Sequence, residues 1–168
     1  IRICCIDERT CVVAPSVPDA IVSRMAEAGI RIVCSSASPR GRYPDTAVLN
    51  AARVGTHLFH NTQCTDQALK AVAKELGLTP VHVSQGYARC SVIPVGARAL
   101  ITCDRGIERT AREAGLDVKL VVTETVFLRG EKHGFIGGAS GVMPDGRIAF
   151  LGDLRTHPDH AGIVSFLD

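Results

Sequence analysis

The sequence predicts an α/β domain assembled from a small unit of strand, strand, helix and strand, used several times over. Three observations carry this. Three windows, AVLNAARVGTHLFHN (47–61), CSVIPVGARALITCD (90–104) and ASGVMPDGRIAFLGD (139–153), align without a gap, bringing Leu58, Ile101 and Phe150 together, and likewise Asn61, Asp104 and Asp153. Similarity at fixed places in successive segments is the mark of a repeated supersecondary unit. Three further phrases, AEAGIRIVC, KELGLTPVHV and REAGLDVKLVV, run from a helical pattern through Gly29, Gly77 or Gly115 into an apolar, partly β-branched run. Glycine just past a helix is the usual left-handed cap, and the run behind it reads as a strand. Finally, Ile21 and Met25, and Leu69, Val72 and Leu76, recur at spacings of three and four, so one helix face is buried.

Taken in order, residues 1–34 form one unit, with IRICCI and TCVVAP as its hairpin across Asp7-Glu8-Arg9. SSASPRGRYPD (35–45) is a Ser/Pro/Gly connection between units. Residues 45–85 make a second unit, 87–123 a third and 133–168 a fourth that stops before its closing strand, all within one domain over 1–168. In the fourth, Pro144-Asp145-Gly146 is the clearest turn, because proline presets φ and glycine accepts a positive one. Thr156-His157-Pro158 is expected to open the last helix.

Composition narrows the function. At 46% hydrophobic and 21% charged the chain can fill a core. A net charge of +2 with dispersed cations, no tryptophan, two tyrosines and five phenylalanines leave neither a basic stripe nor stacking platforms for nucleic acid. No apolar run approaches the roughly 20 residues of a membrane span, and the charged opening IRICCIDER does not read as a signal peptide, so a cytoplasmic location is expected. The seven cysteines are odd in number and include no C-x-x-C pair. They are expected to be mostly reduced, buried thiols. No cofactor or metal is implied: His57 and His60, three apart on a strand, point to opposite faces and do not join Cys64 in a zinc site. GFIGGASG lacks both the G-x-G-x-x-G and the G-K-[ST] patterns of phosphate loops.

The repeated unit, with the phrases YPDTAVLNAARVG, QGYARCS, LITCD and GFIGGASG, resembles the pentein, or guanidine-modifying enzyme, superfamily, and within it an uncharacterised bacterial family. The resemblance covers most of the chain from Tyr43 onward. It implies an α/β propeller in which units surround a central channel. In the enzymes of that superfamily a cysteine after a glycine pair attacks the guanidinium carbon, a histidine moves protons and carboxylates hold the cation. Such chemistry has physical sense, since thiolate is a strong nucleophile near neutral pH and a planar cation is oriented by paired carboxylates. Here Gly137-Gly138 is followed by Ala139-Ser140-Gly141 with no cysteine, the middle units hold no H-x-D phrase, and HPDH (157–160) sits at a predicted helix start.

Candidate site residues follow from hairpin geometry. With a turn centred between Gly96 and Ala97, Cys90 faces Cys103 and Arg89 faces Asp104 across the strands. By alignment His60 takes the place of Cys103, and Ser140 that of Ser91. The two cysteines either pack as apolar groups or serve as thiols or ligands. Asn61, Asp104 and Asp153 either cap helices and turns or ring one mouth of the channel, where they suit a cation. Asn50, read as mid-strand among apolar residues, knits strands together or reads a ligand, because a buried amide needs partners. His133 is either a surface side chain or part of the site, and Ser140 has no base beside it in sequence. In QGYARCS, Gln85, Tyr87, Arg89 and Ser91 either satisfy an inter-unit turn or meet a ligand.

The expected site therefore comprises Asn50, Arg89, Cys90, Ser91, Asp104, His133 and Ser140. It serves a binding module for a small polar or cationic ligand, or a protein partner, without the standard machinery. The alternative is a hydrolase or amidinotransferase whose nucleophile has moved to Cys90 or Cys103, with Asp104, His133 and Ser140 as further catalytic candidates. A structural role in an oligomer is the third reading, and nucleic acid and membrane are not expected partners.

Overall fold

In the computed structural model, which describes residues 1–122 and 126–168, the chain is a mixed α/β protein of small sheets with five α-helices among the described residues. The first sheet joins β1 (Ile3–Cys5), β2 (Thr10–Val13) and, beyond helix α1 (Asp19–Glu27), β3 (Arg31–Cys34). The second joins β4 (Ala52–Val54), β5 (His57–His60) and, beyond α2 (Gln67–Glu75), β6 (Thr79–His82). One helical turn, α3 (Ala88–Ser91), leads into the third, built of β7 (Val92–Val95), β8 (Ala99–Thr102) and, beyond α4 (Arg105–Glu113), β9 (Asp117–Leu120). In each, the first two strands are antiparallel and the third is parallel to the second. The last sheet has two strands, β10 (Ser140–Val142) and β11 (Ile148–Phe150), followed by α5 (His160–Leu167). Thr123, the last residue of the expected third unit, lies outside the described residues.

The helix ends are set by glycine. Gly29, Gly77 and Gly115 have φ of 80°, 65° and 79°. Their amides donate to Ala26, Lys74 and Arg112, and the next residues, Ile30, Leu78 and Leu116, reach back to Met25, Ala73 and Ala111. This paired bonding satisfies carbonyls that the helix end would otherwise leave open. The apolar residue after each glycine then turns the chain inward to its strand.

Apolar cores lie between consecutive sheets. Leu58 of β5 belongs to the cluster shared with the first sheet, and its neighbour Phe59 to the cluster shared with the third. Leu100 of β8 faces back to the second sheet and Ile101 forward to the last hairpin and α5. Successive strand residues point to opposite faces, so a strand covered on both sides reads as an uninterrupted apolar run.

Several expectations are corrected. Asn50 is not within a strand: it follows a 3₁₀ turn (Asp45–Ala47) and precedes β4. Arg89, Cys90 and Ser91 are helical, not extended. The loop of the third hairpin holds three residues, Gly96 to Arg98, so Val92 faces Thr102 and the register is one residue away from that which would oppose Cys90 to Cys103. Gly96 takes φ of 56°, which only glycine adopts without strain. Nor does His60 correspond to Cys103. Val13, His60 and Thr102 share one place, each carbonyl accepting the amide that follows the parallel strand, from Ser35, Val83 and Val121. The last helix opens at His160 after Asp159, not at Thr156-His157-Pro158, where Leu154–Thr156 form a 3₁₀ turn. Of the seven cysteines only Cys4 and Cys11 are buried; Cys5 and Cys34 are exposed and the rest half-buried. No helix among the described residues is long and apolar enough to cross a membrane.

Candidate functional site

The polar residues that the fold brings together centre on α3. Asn50, 1% exposed, grips this turn on three sides. Its carbonyl accepts the Arg89 amide at 3.0 Å, its Oδ1 accepts the Cys90 amide at 3.1 Å, and its Nδ2 donates to Cys90 Sγ at 3.2 Å. The buried amide is thus satisfied by the start of the next sheet, as burial demands.

The glycine pair closes the other side. Gly138 donates its amide to the Cys90 carbonyl at 2.8 Å. A Cβ on Gly137 would lie 2.5 Å from Val92 O and 2.7 Å from Arg89 O and Cys90 O, so only glycine lets this backbone meet the open carbonyls of α3. The Arg89 guanidinium spans the same junction, with Nη1 donating to Gly137 O at 2.9 Å and Val92 O at 3.3 Å, and Nη2 to Ser140 O at 3.4 Å. Both Nη atoms thus bond main chain, as a clasp between the third sheet and the last hairpin. An aromatic series, Tyr43, Tyr87, Phe135 and His133, with centroids 6.0 to 6.2 Å apart, runs across the same region.

A cavity of about 610 Å³ opens beside this junction. Cys90, Gly138 and Ala139 line one side; Val126, Phe127, Leu128 and Phe135 give apolar walls; Asp153, Thr156 and His157 add polar groups. Phe127 is 88% and Leu151 83% exposed at its edge. Burial lowers the His157 pKa, and its Nδ1 accepts the Asp159 amide at 3.0 Å, which fixes a neutral ring with the proton on Nε2. Asp153 pairs with Arg155 at 2.8 Å, both well exposed.

The other candidates sit elsewhere or are occupied. Ser91 is buried and donates to Tyr87 O at 3.0 Å, and Ser140 donates to Gly137 O at 3.2 Å. Asp104 caps α4 through Ile107 N at 2.9 Å and accepts Gln85 Nε2 at 3.2 Å. Asn61 holds Gln63 N, Tyr43 Oη and Ser84 O, while the cap of α2 is Asp66. His133 bonds Gly134 O at 3.0 Å, in a loop ahead of β10, and does not line the cavity. Cys103 packs against the apolar cluster around Ile101, and burial pushes its thiol up. Among the described residues no cluster of His, Cys, Asp or Glu could hold a metal ion.

Sequence reasoning missed the cavity, because its walls come from 126–139 and 150–157, where no periodic pattern marks them. The readable signal was the unusual density of glycine in GFIGGASG.

Fold and site together define a mixed α/β protein with a thiol at the wall of a largely apolar cavity. The chain belongs to the Family of unknown function (DUF6873), whose model matches residues 1–168. No curated protein matches it.

Proposed function

We propose that the chain is a pentein-like α/β propeller domain that binds a small polar or cationic ligand in the cavity beside Cys90, without the cysteine–histidine machinery of guanidine-modifying enzymes. The propeller reading is supported by the placement of the inner strands, β4 beside β7 and β7 beside β10, and by cores that lie between consecutive sheets. The observation that carries the binding reading is the Cys90 thiol, held by Asn50 beside the glycine pair, at a cavity of ligand size. A cation with a methylene body suits it. The apolar walls take the methylenes, and Asp153 takes the charge, since its pair with Arg155 is solvent-exposed and yields readily to a competitor. Asp153 is the one carboxylate among the described lining residues, so a guanidinium lacks the paired grip that hydrolysis requires.

Agmatine and arginine are the probes. A saturable rise in melting temperature is expected, weakened by Asp153→Asn and abolished by Ala139→Phe, which fills the cavity, with both compounds recovered unchanged. A rise untouched by Ala139→Phe, or no rise at all, contradicts the reading.

One observation favours a second reading, a hydrolase or amidinotransferase with Cys90 as a relocated nucleophile. A Cβ on Gly138 would stand 3.8 Å from the Cys90 Cβ, so a thiol reaches the glycine pair from a different element. On this reading 2-chloroacetamidine alkylates Cys90 in the native protein and agmatine blocks it. Cys90 inert when native but reactive in urea rules it out.

A further inference from the structure

Cys5 and Cys11 face each other across β1 and β2. Main-chain hydrogen bonds join Ile6 to Thr10 at 2.9 Å and Ala14 to Arg2 at 2.8 Å. Bonded and unbonded positions alternate along an antiparallel pair, so Cys5 and Cys11 occupy a position without such bonds, where facing Cα atoms stand about 4.5 Å apart. That separation lies within the span of a disulfide. Both thiols are free, and their sulfurs are 2.8 Å apart. Cys5 is exposed, while Cys11 is 2% exposed beneath it. The hydrogen bond that Cys11 donates, aided by the charge of Arg89, lowers the Cys5 thiol to about 7, and the same bond raises that of Cys11. One partner supplies thiolate near neutral pH and the other is already in place.

We propose that Cys5 and Cys11 are a reactive dithiol that exchanges with low-molecular-weight organic disulfides of the glutathione type and closes to a disulfide across the first hairpin. The Cys5 thiolate attacks one sulfur of the organic disulfide; that S–S bond breaks, and the departing thiolate takes a proton from water. Cys11 then attacks Cys5 Sγ, losing its proton as the second thiolate leaves and is protonated. The dithiol is oxidised by two electrons, and one organic disulfide becomes two thiols. Adjacent sulfurs make the second step effectively unimolecular. Neighbouring thiols are not suited: Cys4 points to the other face, bonds Ala51 O at 3.8 Å and is pushed up to about 12 by burial, and Cys34 faces Val13, two places along from Cys11.

The test treats the reduced chain with oxidised glutathione and digests it with trypsin, which cuts after Arg9 and so separates the two cysteines. The expected result is a linked pair of peptides about 2 Da lighter than their sum, with the thiols titrated in denaturant falling by two. Cys4→Ser leaves the link intact, Cys5→Ser abolishes it, and Cys11→Ser accumulates the glutathione adduct on Cys5. Circular dichroism of each reduced variant checks that the hairpin is folded. A link that survives Cys5→Ser, or Cys5 and Cys11 both free while Cys34 carries glutathione, overturns the proposal.

Discussion

The second and third sheets differ from the last hairpin in what covers them. Leu100 and Ile101, adjacent in β8, are both 0% exposed, because one core lies on each side of that sheet. In the last hairpin Val142 is 48% and Leu151, just past β11, 83% exposed. Its sheet has two strands, and the third sheet and α5 cover one side. Similar apolar strands thus become core or surface according to their neighbours, and the cavity opens where covering stops.

The largest expected effect breaks this contrast at its covered end. Ile101→Ala should cost about 2–5 kcal/mol by urea unfolding, while Leu151→Ala stays within about 0.5 kcal/mol. Equal losses would show that the hairpin is covered as the inner sheets are. Next comes the join. Gly137→Ala drives a methyl into three carbonyl oxygens and should cost about 1–3 kcal/mol, whereas Gly141→Ala, with nothing within 4 Å of its Cβ, should be neutral. Asn50→Ala leaves the Cys90 amide without its acceptor, for about 1–3 kcal/mol by the same assay.

A smaller effect sharpens the comparison through pH. His60 is buried, with Nε2 donating to Ala47 O at 2.8 Å and Nδ1 hydrogen-bonded to Thr65 Oγ1 at 2.7 Å, and burial lowers its pKa below the ordinary 6.5. The unfolded chain therefore binds the proton first, so stability falls as pH drops below about 6.5 toward the lower folded value. His60→Gln should flatten that part of the urea-midpoint profile. The smallest effect belongs to the exposed Arg31–Glu75 pair, where Glu75→Gln should leave the midpoint unchanged.

How much could be read in advance depends on range. The helix ends at Gly29, Gly77 and Gly115 were legible because a Schellman cap is written in a few adjacent residues. The turn at Pro144-Asp145-Gly146 was legible for the same reason; Gly146 has φ of 85°. The cap at Asp104 was one of two open readings, and the Ile107 amide fills it. Cys90 was misplaced because RCSVIPV has strand composition throughout, and what winds its first residues into a helical turn is distant: Asn50 on one side and Gly138 on the other. The register slipped because a three-residue loop and a two-residue loop have the same letters at their glycines, Gly96 and Gly55. The Gly55 site is closed by another hairpin, since a Cβ there would lie 2.2 Å from Ala97 O.

The central claim is that ligand enters the cavity beside Cys90, and amide NMR during an agmatine titration tests it most directly. The account predicts shifts concentrated at Gly138, Ala139, Gly152 and Thr156, with the first sheet silent. Shifts spread over β1–β3 with those four amides unmoved would contradict it.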